Sequence, residues 1–536
     1  MPNSAYRFIN GQVFTGNGHS CTSFVVRGGR FMMTGSDDAT HKSFPDAKTI
    51  DLEGQFVCAG FNDSHMHLLG LGNMLSMARL ANCTDSLAHV LEGLKSYADH
   101  NADEPFVLGR GWNQDDFTDV KRFPTRDDLD AVCPDRPCLI TRACGHVAIA
   151  NSAALRLAGI DSAAPHVEGG CVETDVHGRP TGVLSENAIA LVSSLVPCLD
   201  RAGIRRRLLL TMDFIRQFGV TSVQTDDMAT TSAPFEDVIG AYMDLKAEGK
   251  LTLRVSLQCN LPDEEALERF LAAGYRTGWG DEWLRMGPLK LLIDGSLGAR
   301  TALLRAPYSD APETAGIAIY TQETLNRLVL RAHSSGMQIA VHAIGDGGAE
   351  MVLNAFEYAQ SVCPREDARH GIVHAQVLTH AQAERMKALN LHAYIQSIFL
   401  DYDTQIVRPR LGERANEAYP ARSLLKKGIT FSNGSDCPVE LPFALAGIQC
   451  AVTRASFTRK AQPSYLPEEA LTLEEAILSY TANSAYATYE ETTKGKIEPN
   501  HAADFAVLGQ NPFDTAPEDL HRIPVKALYV AGKQVL

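Results

Sequence analysis

Residues 61–70 read FNDSHMHLLG, and the pattern of the sequence changes at this stretch. Short β-like segments separated by glycine turns come before it, and strand-like and helix-like segments alternate after it. The stretch also carries His65 and His67, one residue apart. Because residues i and i+2 of a strand point to the same face, we expect both imidazoles to project together where the strand ends. Taken alone, the pair could equally be two polar residues at a strand–loop junction.

The sequence after this stretch predicts a parallel barrel. Helical segments such as PDEEALERFLAAG and HAQAERMKALN separate a series of apolar, strand-like runs. With the run that ends in FNDSH there are about eight of them, and alternation of this kind is typical of a parallel sheet. The number fits an α/β fold of the (β/α)8 TIM type. The later runs are GVTSVQT (219–225), LTLRVSLQC (251–259), LRMGPLKLLID (284–294), MQIAVHAIG (337–345), HGIVHAQVL (370–378), LHAYIQSIF (391–399) and GITFSNGSD (428–436).

Two regions do not fit the repeating pattern. Both chain ends consist of strand-like segments around glycine turns, so we expect residues 1–58 and 486–536 to form one small composite β-sandwich domain. The barrel would then occupy 59–485. Residues from about 72 to 200 are too many for one strand–helix unit, and we expect them to form a lobe inserted after the first barrel strand.

The composition limits the classes of function. The chain has 536 residues, of which 45% are hydrophobic, and a net charge of −15, so an acidic surface disfavours nucleic acid as a partner. No apolar run approaches the length of about 20 residues that spans a membrane, and the N-terminus lacks the pattern of a signal peptide. Twelve cysteines without a CxxC pair favour reduced thiols and a cytoplasmic protein.

Residues that could bind a metal recur near the ends of later predicted strands. His342 lies in AVHAIGD, His374 in GIVHAQ, and Asp436 closes GITFSNGSD. Lys290 lies inside LKLLID, where a buried ammonium group would need a partner for its charge. Active sites of this fold lie at the carboxyl ends of the strands, so these side chains would converge with the two first-strand histidines. Imidazole and carboxylate ligands suit zinc or a similar divalent ion.

The ordered motifs resemble the amidohydrolase superfamily, and within it amidohydrolase family 3, the branch that includes the N-substituted formamide deformylases. Two positions depart from the pattern of that branch: Val373 stands where glutamate is usual, and Ser397 follows Gln396 where proline is usual. The motifs cover nearly the whole chain, and they are FNDSHMH, GRGWNQ, GHVAIANSAAL, GRPTGVLSE, GVTSVQTDD, KLLIDGSLGART, HAIGDGG, HAQ, SNGSDCPVE, AVTR, LTLEEAILSYTANSAY and KIEPNHAADFAVL.

The resemblance implies a role for each candidate residue. Asp436 would act as the general base on a metal-activated water, and His374 would be the histidine that helps to polarise the substrate carbonyl. In some members the lysine that Lys290 matches is carboxylated and bridges two metal ions, whereas others bind one ion without it. The cofactor is therefore expected to be one or two divalent ions, with zinc favoured. The implied metal ligands are His65, His67, Lys290, His342, His374 and Asp436.

Five further residues are candidates for substrate contact, and each has a structural alternative. His146 could contact substrate from the inserted lobe or could be a helix cap or a buried histidine. Asp294 and Arg300 could bind substrate or form an ion pair within a loop. Trp112 and Glu186 could line the pocket, or they could be a packing residue and a surface carboxylate.

A second group of residues could support the ligands rather than contact substrate. Asp346 could orient His342 through a hydrogen bond, or it could cap the helix that follows. Gln224 and Asp226 end another predicted strand and would line the mouth of the barrel.

The sequence therefore predicts a metal-dependent hydrolase of a C–N bond in a non-peptide amide, formamide or cyclic amide. Two alternatives remain at this point. One is a hydrolase of a lactone or carbamate ester, since the same metal chemistry would serve it. The other is a non-catalytic binding or regulatory protein on the same scaffold. The expected partner is a small-molecule substrate, and the resemblance is compatible with a homodimer.

Overall fold

The computed structural model describes residues 4–16, 18–160, 162–459 and 463–536. Contacts divide the chain into two units: Met1–Gly70 with Thr211–Leu536 form the first, and Leu71–Leu210 form the second. The predicted insertion, 72–200, falls inside the second unit. Each unit is described by itself below.

The centre of the first unit is a parallel barrel, as predicted. In the described residues its eight strands follow one another in chain order around the sheet. Strands one and eight are bridged by the segment after strand eight, where the Asp436 amide donates to the His65 carbonyl (2.8 Å) and the His67 amide to the Cys437 carbonyl (2.7 Å). The strands are Phe61–Met66, Val220–Thr225, Arg254–Asn260, Leu284–Leu292, Ile339–Ala343, Gly371–His374, His392–Ile395 and Phe431–Asn433.

The barrel strands are buried on both faces, which explains their apolar, β-branched sequences. All six residues of Val220–Thr225 are buried, and so are all four of Gly371–His374. Some of the helices between them start at side-chain caps that the sequence supplies, such as Asp263 and the Thr379–Gln382 capping box. The longer helices of this unit are Phe235–Ala247, Glu264–Ala272, Gln322–Ser334, Asp346–Val362, His380–Ala388, Ala444–Thr453 and Leu473–Ser479.

Strands from the two ends of the chain pair with each other beside the barrel. Phe56–Ala59 runs antiparallel to Phe505–Leu508, in a six-stranded sheet with Lys533–Gln534, Val525–Val530, Gln12–Phe14 and Ser20–Cys21. A four-stranded sheet contains Arg30–Gly35, Ser23–Arg27, Tyr6–Ile9 and Lys48–Asp51. Aromatic rings fill the space between the two sheets: Phe505 stacks on Tyr529 at 4.4 Å and meets the edge of Phe8 at 5.1 Å.

The second unit has a six-stranded sheet and a core of its own. The helix Leu87–His100 lies wholly within this unit, and it packs Val90 and Leu94 into that core. No helix in the described part of the chain is long and apolar enough to cross a membrane. The strands in order across the sheet are Gly170–Thr174, Pro180–Glu186, Val147–Ala150, Cys138–Arg142, Val107–Trp112 and Ala78–Arg79.

Candidate metal centre

The two histidines of the first strand meet the aspartate that follows the eighth strand. Nε2 of His65 lies 3.3 Å and Nε2 of His67 lies 3.1 Å from the same oxygen of Asp436, Oδ1. His65 is buried, and Asp436 is only 9% exposed. The ligand atoms of these three residues all lie within 4.8 Å of one another, close enough to bind one ion together.

The opposite nitrogen of each of three imidazoles is held by an oxygen acceptor. Nδ1 of His65 lies 2.6 Å from Gln258 Oε1, and Nδ1 of His374 lies 2.7 Å from Gln396 Oε1. Nδ1 of His67 lies 2.7 Å from a main-chain carbonyl, that of Asp226. A carbonyl oxygen only accepts hydrogen bonds, so Nδ1 of His67 must carry the hydrogen.

The two glutamine amides are oriented by bonds of their own. Nε2 of Gln258 donates to the Ser64 carbonyl at 3.1 Å, and Nε2 of Gln396 donates to the Tyr394 carbonyl at 3.2 Å. These contacts turn Oε1 of each amide toward its imidazole, so His65 and His374 also carry the hydrogen on Nδ1. A neutral imidazole of this kind presents the Nε2 lone pair, which is how proteins hold metal-binding histidines.

His374 and His342 extend the cluster around the barrel mouth. The His374 ring is 5.6 Å from the His65 ring and 4.4 Å from the His342 ring, between centroids. Burial lowers the pKa of His374 well below its usual value, so its imidazole is neutral. His342 differs from the other three because its Nε2 contacts the Gly295 carbonyl at 3.1 Å and lies 3.3 Å from Asp294 Oδ1.

Lys290 lies inside the barrel with its ammonium group close to acidic residues. Its side chain is 2% exposed, and Nζ is 3.7 Å from Asp226 Oδ2. The side-chain Nδ2 of Asn260 donates to the same Asp226 oxygen at 3.1 Å. Burial lowers the pKa of Lys290, while the charges of Asp226 and Asp436 oppose that effect.

The electrostatics of the centre keep Asp436 ionised. Burial alone would raise the pKa of Asp436, but its contacts with the imidazoles of His65 and His67 hold it well below its usual value. Burial would likewise lower the pKa of His67, but its bond to Asp436 and the charge of that carboxylate raise it to about 9. Burial and the charge of Lys290 together lower the pKa of His65 to about 4, against the opposing effect of Asp436. Asp436 is therefore available as an anionic ligand or base at neutral pH.

Asp294 and Arg300 lie in the loop that follows the fourth strand. The Asp294 carboxylate accepts from the amides of Ile344 (3.1 Å), Gly345 (2.8 Å) and Leu303 (2.9 Å). Arg300 makes a two-point ion pair with Asp310, at 3.1 and 2.9 Å. Arg300 thus forms its ion pair with Asp310 rather than with Asp294, and the Asp294 contacts join neighbouring loops at the barrel mouth.

Asp346 starts the helix Asp346–Val362, and its carboxylate accepts from the amide and Nε of Arg305 at 3.0 and 3.1 Å. The carboxylate beside His342 is that of Asp294 instead. The expectation that Asp346 orients His342 is corrected accordingly: Asp346 joins its helix start to the Arg305 loop.

Three candidate residues belong to the second unit. Trp112 is fully buried in the core of that unit, with its Nε1 donating to the Ile140 carbonyl at 3.3 Å. This burial favours the packing role over substrate contact. His146 and Glu186 pair at 3.0 Å on the surface of the unit, with side chains 68% and 57% exposed.

Several residues that support the centre are not apparent from the sequence. Gln258 and Gln396 orient two of the histidines, and Asp63 accepts from the amide and hydroxyl of Ser435, just before Asp436. Burial raises the pKa of Asp63 to about 7, although the bonds from Ser435 act to lower it. The available signal was a polar side chain within a buried strand, but that signal does not indicate which residue the side chain contacts.

Two residues at the end of the second strand, Gln224 and Asp226, were expected to line the mouth of the barrel. Asp226 forms an ion pair with Lys290, whereas the Gln224 side chain donates to the Ser484 carbonyl.

Comparison with known proteins shows what this chain resembles. Residues 48–536 match the model of a family described as "Amidohydrolase family". The chain is 35% identical to the Bacillus subtilis protein YtcJ, an amidohydrolase by name, over 97% of this chain and 96% of that protein. It is 27% identical to an N-substituted formamide deformylase of Arthrobacter pascens, over 96% and 95% of the two chains. Among solved structures, an uncharacterized metal-dependent hydrolase of Pyrococcus furiosus matches with a TM-score of 0.79 and 28% identity, over 95% of this chain and 100% of that one.

Proposed function

Since the chain belongs to the amidohydrolase family, we propose that it is a metal-dependent hydrolase of a C–N bond outside peptides, in a non-peptide amide, formamide or cyclic amide. One observation carries the proposal: His65, His67 and His374 each carry the hydrogen on a tethered Nδ1, and two of the three direct Nε2 at the Asp436 carboxylate. The ionised Asp436 carboxylate can serve both as a ligand and as a general base, whereas a metal-binding protein without catalysis would need it only as a ligand.

The donor set fits a divalent ion. His65, His67 and Asp436 would hold it together, with His374 as the next imidazole along the rim. Nitrogen and oxygen donors of this kind suit zinc first, and also iron, manganese or nickel. Such an ion lowers the pKa of a bound water toward about 7 and polarises a substrate carbonyl.

Asp436 and His374 carry the proton and charge chemistry in this proposal. Because Asp436 is ionised, its carboxylate can accept the proton of the attacking water and return it to the leaving nitrogen. Gln396 holds the neutral His374 by its Nδ1, so the Nε2 lone pair of His374 would be available as a further ligand for the ion.

Lys290 has two possible states in this centre. Carboxylation requires a neutral amine, and burial shifts Lys290 in that direction; the product would be an anionic oxygen ligand for a second ion. Alternatively, Lys290 remains an ammonium group balanced by Asp226. Carbon-13 NMR after exposure to labelled bicarbonate distinguishes the two states, because only the carboxylated lysine gives a carbamate resonance.

The proposal is tested with the metal-loaded protein on a panel of N-substituted formamides, other amides, cyclic imides, lactones and carbamate esters. We expect release of an amine from at least one of the C–N substrates. Asp436→Asn should lower kcat by a factor of about 100 to 10,000, the range for loss of a general base. A control variant, Glu366→Gln, changes an exposed carboxylate outside the centre and should retain activity. Release of alcohol alone, or full activity in Asp436→Asn, would refute the proposal.

A further inference from the structure

A cavity of about 340 Å³ opens beside the metal centre, within the first unit. Its lining comes from the segments that follow barrel strands four to eight, including Leu297, Ile344, Gln376, Phe399 and Glu440. The Phe399 ring stacks on His374 with centroids 6.0 Å apart and an interplanar angle of 18°. The cavity is therefore separated from the proposed catalytic residues by one aromatic ring, and its volume is in the range of small-molecule sites.

Most of the cavity wall is apolar. Leu297 and Ile344 are buried, Phe399 is partly buried, and Val439 is 65% exposed. The ring of Tyr402, 53% exposed, adds a second aromatic face. In such surroundings a charged side chain without a partner is costly unless a ligand or water meets it.

Glu440 and Asp403 are the acidic residues of the cavity wall, and they differ in their contacts. Asp403, also in the wall, accepts from Gln376 at 2.9 Å and from the Tyr419 hydroxyl at 2.6 Å. No hydrogen bond or ion pair joins Glu440 to any residue that the structure describes. Burial raises the pKa of Glu440 to about 7, and the neighbouring charges of Asp401 and Asp403 add to that effect.

The surrounding charges favour a cation. The charges of Asp401 and Asp403 raise the pKa of Glu440, whereas the guanidinium group of Arg459 lowers it. Arg459 is already engaged: its Nη1 donates to the Asp401 carbonyl at 3.0 Å, and its guanidinium lies 5.4 Å from the centre of the Tyr402 ring. That contact shows that the Tyr402 face can hold a cation. Because Arg459 already lies over the Tyr402 ring, an additional positive group in the cavity would meet Glu440 and the Phe399 ring.

We propose that Glu440 determines specificity by binding a protonated nitrogen group of the substrate, separate from the C–N bond that is cleaved. The substrate class is then an amide, formamide or cyclic amide that also carries an ammonium or similar cation. The assignment to substrate rests on the proposed function, whereas the cation site itself does not depend on it.

The cation site is tested by calorimetry with two ligands of matched shape, benzylamine, which is a cation at neutral pH, and benzyl alcohol, which is neutral. We expect wild type to bind benzylamine about ten- to a hundredfold more tightly, as a charge-assisted hydrogen bond predicts. Glu440→Gln should lose that preference, and Glu366→Gln should keep it. Equal affinity for the two ligands, binding of neither, or a preference that survives in Glu440→Gln would overturn the proposal.

Kinetics then test the link to catalysis. N-formyl-1,4-diaminobutane and N-formylbutylamine differ by one terminal ammonium group, and kcat/KM should favour the first in wild type by about tenfold or more. In Glu440→Gln the change should appear mainly in KM for the charged substrate, with the neutral substrate little affected. Amine binding without hydrolysis of any C–N substrate would refute the proposed function and leave the cation site standing. Hydrolysis without a preference for the charged substrate would refute the role of Glu440 in specificity.

Discussion

The residues that orient the histidines matter as much as the histidines themselves. His65, His67 and His374 are each fixed by a hydrogen bond on Nδ1, from side chains or main chain 22 to 193 residues away in sequence. Such a bond fixes the tautomer and the ring orientation before an ion arrives, so the entropy of ordering the ligands is lost during folding rather than during binding.

Gln258→Leu should therefore weaken metal binding without removing a ligand. The variant loses the acceptor for His65 Nδ1, and losses of this kind cost about ten- to a hundredfold in metal affinity. Gln258→Glu retains an acceptor and serves as the matched control. Competition with a chromophoric chelator measures both affinities. Equal affinity in wild type and Gln258→Leu would show that the bond does not position His65.

The metal centre depends on the segment that closes the barrel, where the chain after the eighth strand approaches the first strand. Gly434 follows the eighth strand, and a Cβ atom at this position would lie 2.6 Å from the His65 amide nitrogen and 2.8 Å from Asp63 Oδ1. Only glycine allows the eighth-strand segment to approach the first strand so closely. The same close approach brings Asp436 to the two first-strand histidines.

Gly434→Ala should disturb both stability and metal binding. We expect a loss of about 1–3 kcal/mol in the free energy of unfolding, the usual cost of overpacking, together with weaker metal binding. Gly35→Ala is the control, since its Cβ would make only ordinary contacts, at 3.7 Å and beyond; it should change stability by less than about 0.5 kcal/mol. Urea midpoints measure the first effect, and a Gly434→Ala protein as stable as wild type would contradict the packing argument.

The sequence predicted the barrel strands well because burial on both faces leaves a continuous apolar run. Their ends were less predictable. The sixth strand was expected over 370–378 but ends at His374, where His374 and Ala375 adopt positive φ angles of 74° and 45°. Local propensity does not predict left-handed backbone at such residues. The surrounding fold imposes it, at the point where the imidazole meets the centre.

At the scale of the whole molecule, the returning end of the chain is tied to the barrel by buried charges. Arg254 of the third strand makes a two-point ion pair with Asp504, and the Asp504 carboxylate also accepts from the Ala531 amide at 2.8 Å. Glu490 bonds Lys494 at 2.7 Å and lies 3.3 Å from Arg285 of the fourth strand. No local pattern in the sequence predicts the Arg254–Asp504 and Arg285–Glu490 pairs, because their members lie far apart in the chain.

Glu490→Gln should lower stability in a pH-dependent way. Burial would raise the pKa of Glu490, but Lys494 and Arg285 together hold it below the usual value. The ionised carboxylate therefore stabilises the fold fully above about pH 4.3, its unfolded pKa, and this stabilisation is lost as the pH falls through the lower folded pKa. We expect a deficit of about 3 kcal/mol at pH 7, which shrinks in more acidic solution. Urea midpoints at pH 7 and at a pH below about 4.3 check this, and a deficit independent of pH would contradict it.

The central claim is that the mouth of the barrel binds a divalent ion through His65, His67 and Asp436. The most direct test is to dialyse metal-free protein against zinc and against manganese, then count bound ions by mass spectrometry, with the double variant His65→Asn/His67→Asn in parallel. We expect one or two ions per wild-type chain and an affinity at least about a hundredfold lower in the variant. A wild-type chain that binds neither ion, or a variant that binds as tightly as wild type, would contradict it.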